Sequence, residues 1–344
     1  MNSVVLVDQK KIVTEERVAP IPEKGEVIVE VAYCGVCRTD RKSYRLGQRD
    51  LHMPRILGHE FSGIVIATGE GITDYCPGDR VAVYPGIGCG HCPDCLEDND
   101  QRCREMQILG FHRDGGFSRY CRIPAEGVAR GILCKVIPAV SLEDAAKCEP
   151  LGCALHMLRS VDFQKTKRVL ICGGGVLGYL MAILCRYYGA ETILISEPNE
   201  RKRQLCEDAG FTALLPAELK DYVRGHYPHG VDAVIPCTPH TDCFEDSLML
   251  LKNGGFFGFF SGLVGDRGLP LSVWNLFHYK EITMVGTYGC GKKDFKEALA
   301  LLENGFDLSP LPVTYITLNE LESVLGLEET EQAVLTMIKY ETEA

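Results

Sequence analysis

Four cysteines fall within one fifteen-residue stretch, CGHCPDCLEDNDQRC: Cys89, Cys92, Cys95 and Cys103. Thiolates two residues apart suit a single chelating loop, and the polar turn LEDNDQ lets the fourth fold back. Such a set holds Zn²⁺ tetrahedrally and leaves no position open, so it reads as a structural site. The same four thiolates could instead hold an iron–sulfur cluster. A second constellation is spread more widely: Cys37 in GVCRTD, His59 and Glu60 in GHEFSG, and Glu149 in CEPLGCALH. Thiolate, imidazole and carboxylate are the ligands of an open, catalytic zinc site. Taken singly, Cys37 and His59 read as core residues and Glu149 as a helix-surface carboxylate. Their joint presence with a cysteine cage and a glycine-rich turn favours the metal reading.

That glycine turn is Gly173-x-Gly175-x-x-Gly178, between the apolar run RVLIC and the helical pattern VLGYLMAILCRYY. The first glycine permits a tight turn, the second lets the backbone approach a pyrophosphate, and the third allows strand and helix to pack closely. Val176 and Leu177 open the helix whose N-terminus faces the phosphates. Glu197 follows Gly178 by 19 residues at the end of the next strand, where a ribose-binding carboxylate belongs. Just downstream, ERKR supplies Arg201, Lys202 and Arg203, with Lys202 the expected cofactor contact. A carboxylate at 197 disfavours a 2′-phosphate, so NAD is expected over NADP.

These groups need two kinds of scaffold. Up to about residue 150, segments such as EVIVEVAYCGV, FSGIVIATGEGI and DRVAVYPGI read as strands punctuated by glycine and proline. From about 141, SLEDAAKCEPLGCALHMLRS reads as a Ser-capped helix, and then strand, glycine turn, helix and strand alternate as in a parallel sheet. The expected division is 1–150 as a β-rich catalytic domain, 151–285 as a nucleotide domain, and 286–344 completing the first. The cysteine lobe occupies about 86–106. The fold class is α/β, with a doubly wound parallel sheet in the second domain.

Composition narrows the function. The 344 residues can bury two cores, and 46% hydrophobic with 24% charged residues is ordinary for a globular protein. The net charge of −11 comes with no basic patch, which argues against nucleic acid. No apolar run is long enough to span a bilayer, and charges interrupt the first twenty residues, so a cytoplasmic location is expected. Seventeen cysteines in a reducing compartment are core residues, metal ligands or reactive thiols rather than disulfides.

The order GVCRTD, GHEFSG, GDRVAV, the four-cysteine lobe, DGGFSRY, EPLG and GGGVLG resembles the zinc-dependent medium-chain dehydrogenases, over about residues 25–340. The resemblance implies a GroES-like β domain plus a Rossmann domain, and two zinc ions per chain, one catalytic and one structural. It implies Cys37 and His59 as catalytic-zinc ligands, with Glu60 direct in some members and indirect in others. Glu149 matches the third ligand in the branch that includes sorbitol, butanediol and threonine dehydrogenases. Thr39 matches the hydroxyl that takes the substrate proton, and Arg38 a cofactor-phosphate contact. Two positions depart from the pattern. Lys42 stands where many members end a proton relay in histidine, and an exposed lysine would not accept a proton. Gly86 stands where threonine dehydrogenases carry a histidine. The expected activity is NAD-linked oxidation of a secondary alcohol: a polyol, a cyclitol or amino-cyclitol, or a small diol. Its alternatives are threonine-type oxidation of a 3-hydroxy amino acid, a zinc-free reductase on the same fold, and a non-catalytic zinc-bearing nucleotide sensor. A homo-oligomer is also expected, tetramer over dimer, because the family pairs an edge strand of the Rossmann sheet across subunits.

Overall fold

A computed structural model describes residues 2–48, 51–264, 268–327 and 333–341. The chain divides into two compact units: residues 1–152 with 290–307 and 313–344, and residues 153–289 with 308–312.

The first unit is built on a seven-stranded sheet whose central strand is Val27–Gly35. Almost every residue of that strand is buried, which is why VIVEVAYCG runs apolar instead of alternating. It pairs antiparallel with Glu60–Thr68, with Tyr120–Ile123 and with Leu335–Lys339. The register sets Gly35 opposite Glu60. That single pairing brings the segment after one strand, Cys37, beside the start of the next, His59 and Glu60, across more than twenty residues of chain. Between them, Arg38–Leu46 folds as a helix. The expected Ser cap is present as well: Ser141 Oγ accepts the Asp144 N–H at 2.9 Å and starts the helix Leu142–Ala146, and a second helix, Cys148–Leu158, follows.

The second unit holds six parallel strands in the order Thr212–Leu214, Thr192–Ser196, Arg168–Cys172, Val231–Pro236, Leu251–Phe259, Thr283–Gly286. The strand order reverses direction between Arg168–Cys172 and Val231–Pro236, the topological switch point at which nucleotides bind in doubly wound sheets. Both strands are buried, as the run VLIC and the strand VDAVIP suggest. Phe244 and Phe257 meet edge to face at 4.5 Å in its core. At one margin of the sheet, Thr283–Gly286 is mostly exposed.

Candidate active site and metal centres

Cys37 is the N-cap of the helix Arg38–Leu46. Its sulfur accepts the Thr39 N–H at 3.5 Å, while Asp40, three residues into the helix, accepts the Cys37 N–H at 2.9 Å. This is a reciprocal capping box written in the residues C-R-T-D. The cap fixes the thiol at a helix N-terminus, where the dipole favours a thiolate. The donor atoms of Cys37, His59 and Glu60 all lie within 4.8 Å of one another. His59 is 6% and Glu60 2% exposed.

Electrostatically the cluster is overfull without a cation. Desolvation, then the Glu60 charge, pushes the Cys37 thiol up to about 11. Burial, then the charge of Glu149, pushes Glu60 up to about 8. Burial draws the His59 imidazole down, but Asp40 outweighs it and the net shift is upward. Asp40 is fully buried, and its Oδ1 stands 3.3 Å from His59 Nδ1, within ion-pair range though not aligned as a hydrogen bond. The other ring nitrogen, Nε2, is thereby left for a metal, in the manner of carboxylate–histidine–zinc triads. Buried acids, a thiol and an oriented imidazole within one ion's reach fit Zn²⁺.

Gly35 makes room for this cluster: a Cβ there would lie 2.2 Å from Glu60 Oε2. Glu149 is half-buried and close enough to raise Glu60, yet its carboxylate falls outside the tight three-donor set. Thr39 Oγ1 stands 3.7 Å from the Cys37 sulfur, so the expected proton-accepting hydroxyl is at the site. Lys42 is exposed on the same helix. Arg38, the first residue of that helix, is exposed too. Two residues at the site had no role assigned from sequence: Gly35 and Asp40. The acid three residues after the cap was a readable signal for Asp40; nothing local marks Gly35.

Cys89, Cys92, Cys95 and Cys103 bring all four sulfurs within 4.8 Å of one another. Cys89 and Cys95 are 4.0 Å apart, too far for a disulfide, and all four thiols are free. Backbone N–H groups point at the sulfurs: Cys89 N donates to Cys103 Sγ and Cys92 N to Cys89 Sγ, each at 3.4 Å. The His91 backbone N–H, first among several donors, draws the Cys89 thiol down to about 6, while burial pushes Cys95 up. A preorganised shell of N–H donors around four sulfurs fits a thiolate-bound zinc closed to substrate.

In the second unit the glycine turn follows the strand Arg168–Cys172, and Gly175 caps the helix Val176–Tyr187. Gly173 has φ +108°. A Cβ on Gly178 would lie 1.9 Å from the Gly173 carbonyl oxygen, so strand and helix could not approach with any other residue. A Cβ on Gly175 would meet nothing within 4 Å. The backbone there faces open space, as a pyrophosphate seat requires. Glu197 is buried, its Oε2 accepting the Gly174 N–H at 2.7 Å and its Oε1 the Asn199 N–H at 2.9 Å. The carboxylate therefore also braces the turn, satisfying two loop amides that no strand partner reaches. Asn199 caps the next helix by accepting the Lys202 N–H, and Arg203 Nη1 is spent on the carbonyls of Glu197 and Pro198. Lys202 is half-buried in that first turn.

Comparison with known proteins agrees with this geometry. Residues 23–133 match the family described as alcohol dehydrogenase GroES-like domain, and 175–304 that described as zinc-binding dehydrogenase. A solved structure from Sinorhizobium meliloti 1021, described as a zinc-binding dehydrogenase bound to NADP, is 30% identical. The match covers 98% of this chain and 99% of that one, with a TM-score of 0.88. The chain belongs to the zinc-dependent medium-chain alcohol dehydrogenases. It is an alcohol oxidoreductase that uses zinc and a nicotinamide cofactor. Among curated relatives, the L-galactonate-5-dehydrogenase of Escherichia coli K12 is 27% identical, over 92% of this chain and 91% of its own length. The 2R,3R-butanediol dehydrogenase of Bacillus subtilis is 26% identical with a TM-score of 0.87, over 99% of each chain. No helix among the described residues is long and apolar enough to cross a membrane.

Proposed function

We propose that this dehydrogenase oxidises, reversibly and with NAD, a secondary alcohol within a small polyhydroxylated molecule: a polyol, cyclitol, amino-cyclitol or diol. The observation that carries the reading is the cluster of half-buried Cys37 with buried His59 and Glu60, whose donors lie within 4.8 Å of one another. Zinc held there supplies Lewis acidity that lowers the pKa of a hydroxyl, and the nicotinamide exchanges the hydride. The chain's own groups do the rest. Asp40 orients His59, the helix cap orients Cys37, and Thr39 Oγ1 receives the proton of the substrate hydroxyl. Glu149 and Glu60 share one negative region, so the two compete for the role of third ligand. Cys89, Cys92, Cys95 and Cys103 hold the second, structural zinc.

Glu197 supports NAD, because its buried carboxylate repels a 2′-phosphate and Arg203 is already committed to backbone carbonyls. The NADP in the S. meliloti structure makes the comparison of both cofactors part of the test. A threonine-type reading has support in relatives such as the L-threonine 3-dehydrogenase of Shewanella frigidimarina, 28% identical over 88% of this chain and 89% of its own. Gly86 in place of a histidine counts against it. The deciding experiment is a substrate panel scored by NADH formation: sugar alcohols, inositols, amino-inositols, butanediol, aldonates and threonine. Turnover of threonine alone would overturn the polyol reading.

The exposed margin strand Thr283–Gly286, with Met284 at 40% exposure, supports a homo-oligomer that covers it, a tetramer over a dimer. A monomer by light scattering at micromolar concentration would refute this.

A further inference from the structure

The second unit carries a cavity of about 320 Å³ that has no part in the chemistry above. It opens where the strands Val231–Pro236 and Leu251–Phe259 begin, and Gly230 and Leu251 line it. The glycine turn lies at the opposite, carboxyl end of the same parallel sheet, roughly 20 Å away for strands of this length. The cavity is therefore a second site and not an extension of the nucleotide seat.

Its floor is apolar: Leu219, Val223, Leu250 and Leu251 line it and are buried. Its wall is cationic. Lys220 and Arg224 stand four residues apart on the helix Pro216–His226, both exposed, and Lys280 is the third cation in the lining. One acid, Asp246, faces them. With Lys220, Arg224 and Lys280 positive and Asp246 negative, the lining carries 3 − 1 = +2, in a chain whose net charge is −11. Lys280 has its own work, donating to the carbonyls of Met249 and Leu251. Lys220 and Arg224 have none: neither makes a hydrogen bond or ion pair among the described residues. Like charges at this helical spacing repel weakly on an exposed face, and Asp246 alone does not balance the lining, so a bound anion would be favoured there.

We infer that this cavity binds a small organic anion with an apolar body, of the carboxylate or sulfonate class. Its charged end would lie against Lys220 and Arg224, and its body would rest on Val223 and Leu251. A volume of this size is at the lower end for small-molecule sites, which combine an apolar lining with a few placed polar groups.

The probe is anilinonaphthalene sulfonate, added to the full-length, zinc-loaded protein in saturating NAD so that the nucleotide seat is closed to it. The chain has a single tryptophan, Trp274, on the helix Leu271–Tyr279 that leads directly into Lys280. Energy transfer from Trp274 to the probe therefore reports binding within transfer range, and the variants below assign it to this cavity. The expected result is a saturable signal that Lys220→Glu with Arg224→Glu weakens at least about tenfold, with turnover unchanged. Asp246→Asn should tighten binding, because it removes the one like charge. The proposal is overturned by no saturable signal in saturating NAD, by equal affinity in the charge-reversed protein, or by no tightening in Asp246→Asn.

Discussion

Replacing Asp40 by asparagine tests the geometry of the active site without touching a ligand. Asp40 has no exposed surface, and its two oxygens serve three groups: the Cys37 N–H at 2.9 Å, the Gly58 N–H at 3.4 Å and the His59 ring nitrogen at 3.3 Å. Asparagine keeps the shape but offers one acceptor oxygen. Whichever way its amide turns, an N–H₂ group faces either a backbone N–H or the imidazole. If the oxygen stays on Cys37, Gly58 loses its acceptor. If it turns to Gly58 and His59, the cap of the helix Arg38–Leu46 loses half of its reciprocal pair. A buried donor left unsatisfied costs about 1–3 kcal/mol. Loss of a carboxylate behind a zinc-bound histidine lowers metal affinity roughly 10- to 100-fold, or about 1.4–2.7 kcal/mol. The assay is competition with a graded chelator, read as zinc per chain, beside thermal melts of the same samples. Asp40→Asn should lose one zinc at chelator concentrations about 10- to 100-fold lower than the parent, and activity with it. The zinc of the four-cysteine lobe should stay, as an internal control. Equal retention of both ions, or loss of the lobe's zinc first, would refute the role given to Asp40.

Three further perturbations separate the parts. Cys37→Ser should abolish turnover while leaving the melting temperature near that of the parent, whereas Cys95→Ser should lower the melting temperature and release a different zinc; metal analysis with calorimetry checks both. Glu197→Ala should narrow the preference for NAD over NADP in kcat/KM, and also loosen the glycine turn, since the Gly174 and Asn199 amides lose their acceptors; an unmutated enzyme that prefers NADP would sink the NAD assignment. Asp232 accepts the Lys167 and Arg168 amides and pairs with Lys252 at 2.7 Å. Burial raises its pKa, but Lys252 and the amides outweigh that and hold it below the usual aspartate value. A depressed folded-state pKa contributes stability above the unfolded value and loses it as pH falls through the folded one. Asp232→Asn should therefore lower the melting temperature at neutral pH, and the gap should close below about pH 4, as differential scanning across that range would show.

Sequence alone determined what is local. Four sulfurs within fifteen residues form one chelating loop, whatever surrounds them. Strand, glycine turn and helix made the nucleotide seat readable because each glycine answers to a neighbour a few residues away, as Gly178 does to Gly173. The capping box at Cys37–Asp40 is equally local, legible in C-R-T-D though its consequence for His59 was not. What the tertiary structure decided is long-range. The register that sets Gly35 against Glu60 cannot be counted from either strand, because pairing depends on which faces the rest of the core buries. That register gathers Cys37, His59 and Glu60 into one set of donors within a metal's reach, and turns an unremarked glycine into the space that Glu60 fills. Glu149 shows the limit from the other side. Its sequence context marks it as a ligand, yet whether its carboxylate or that of Glu60 closes the metal's shell depends on ångström-scale distances between separate elements, which only packing sets.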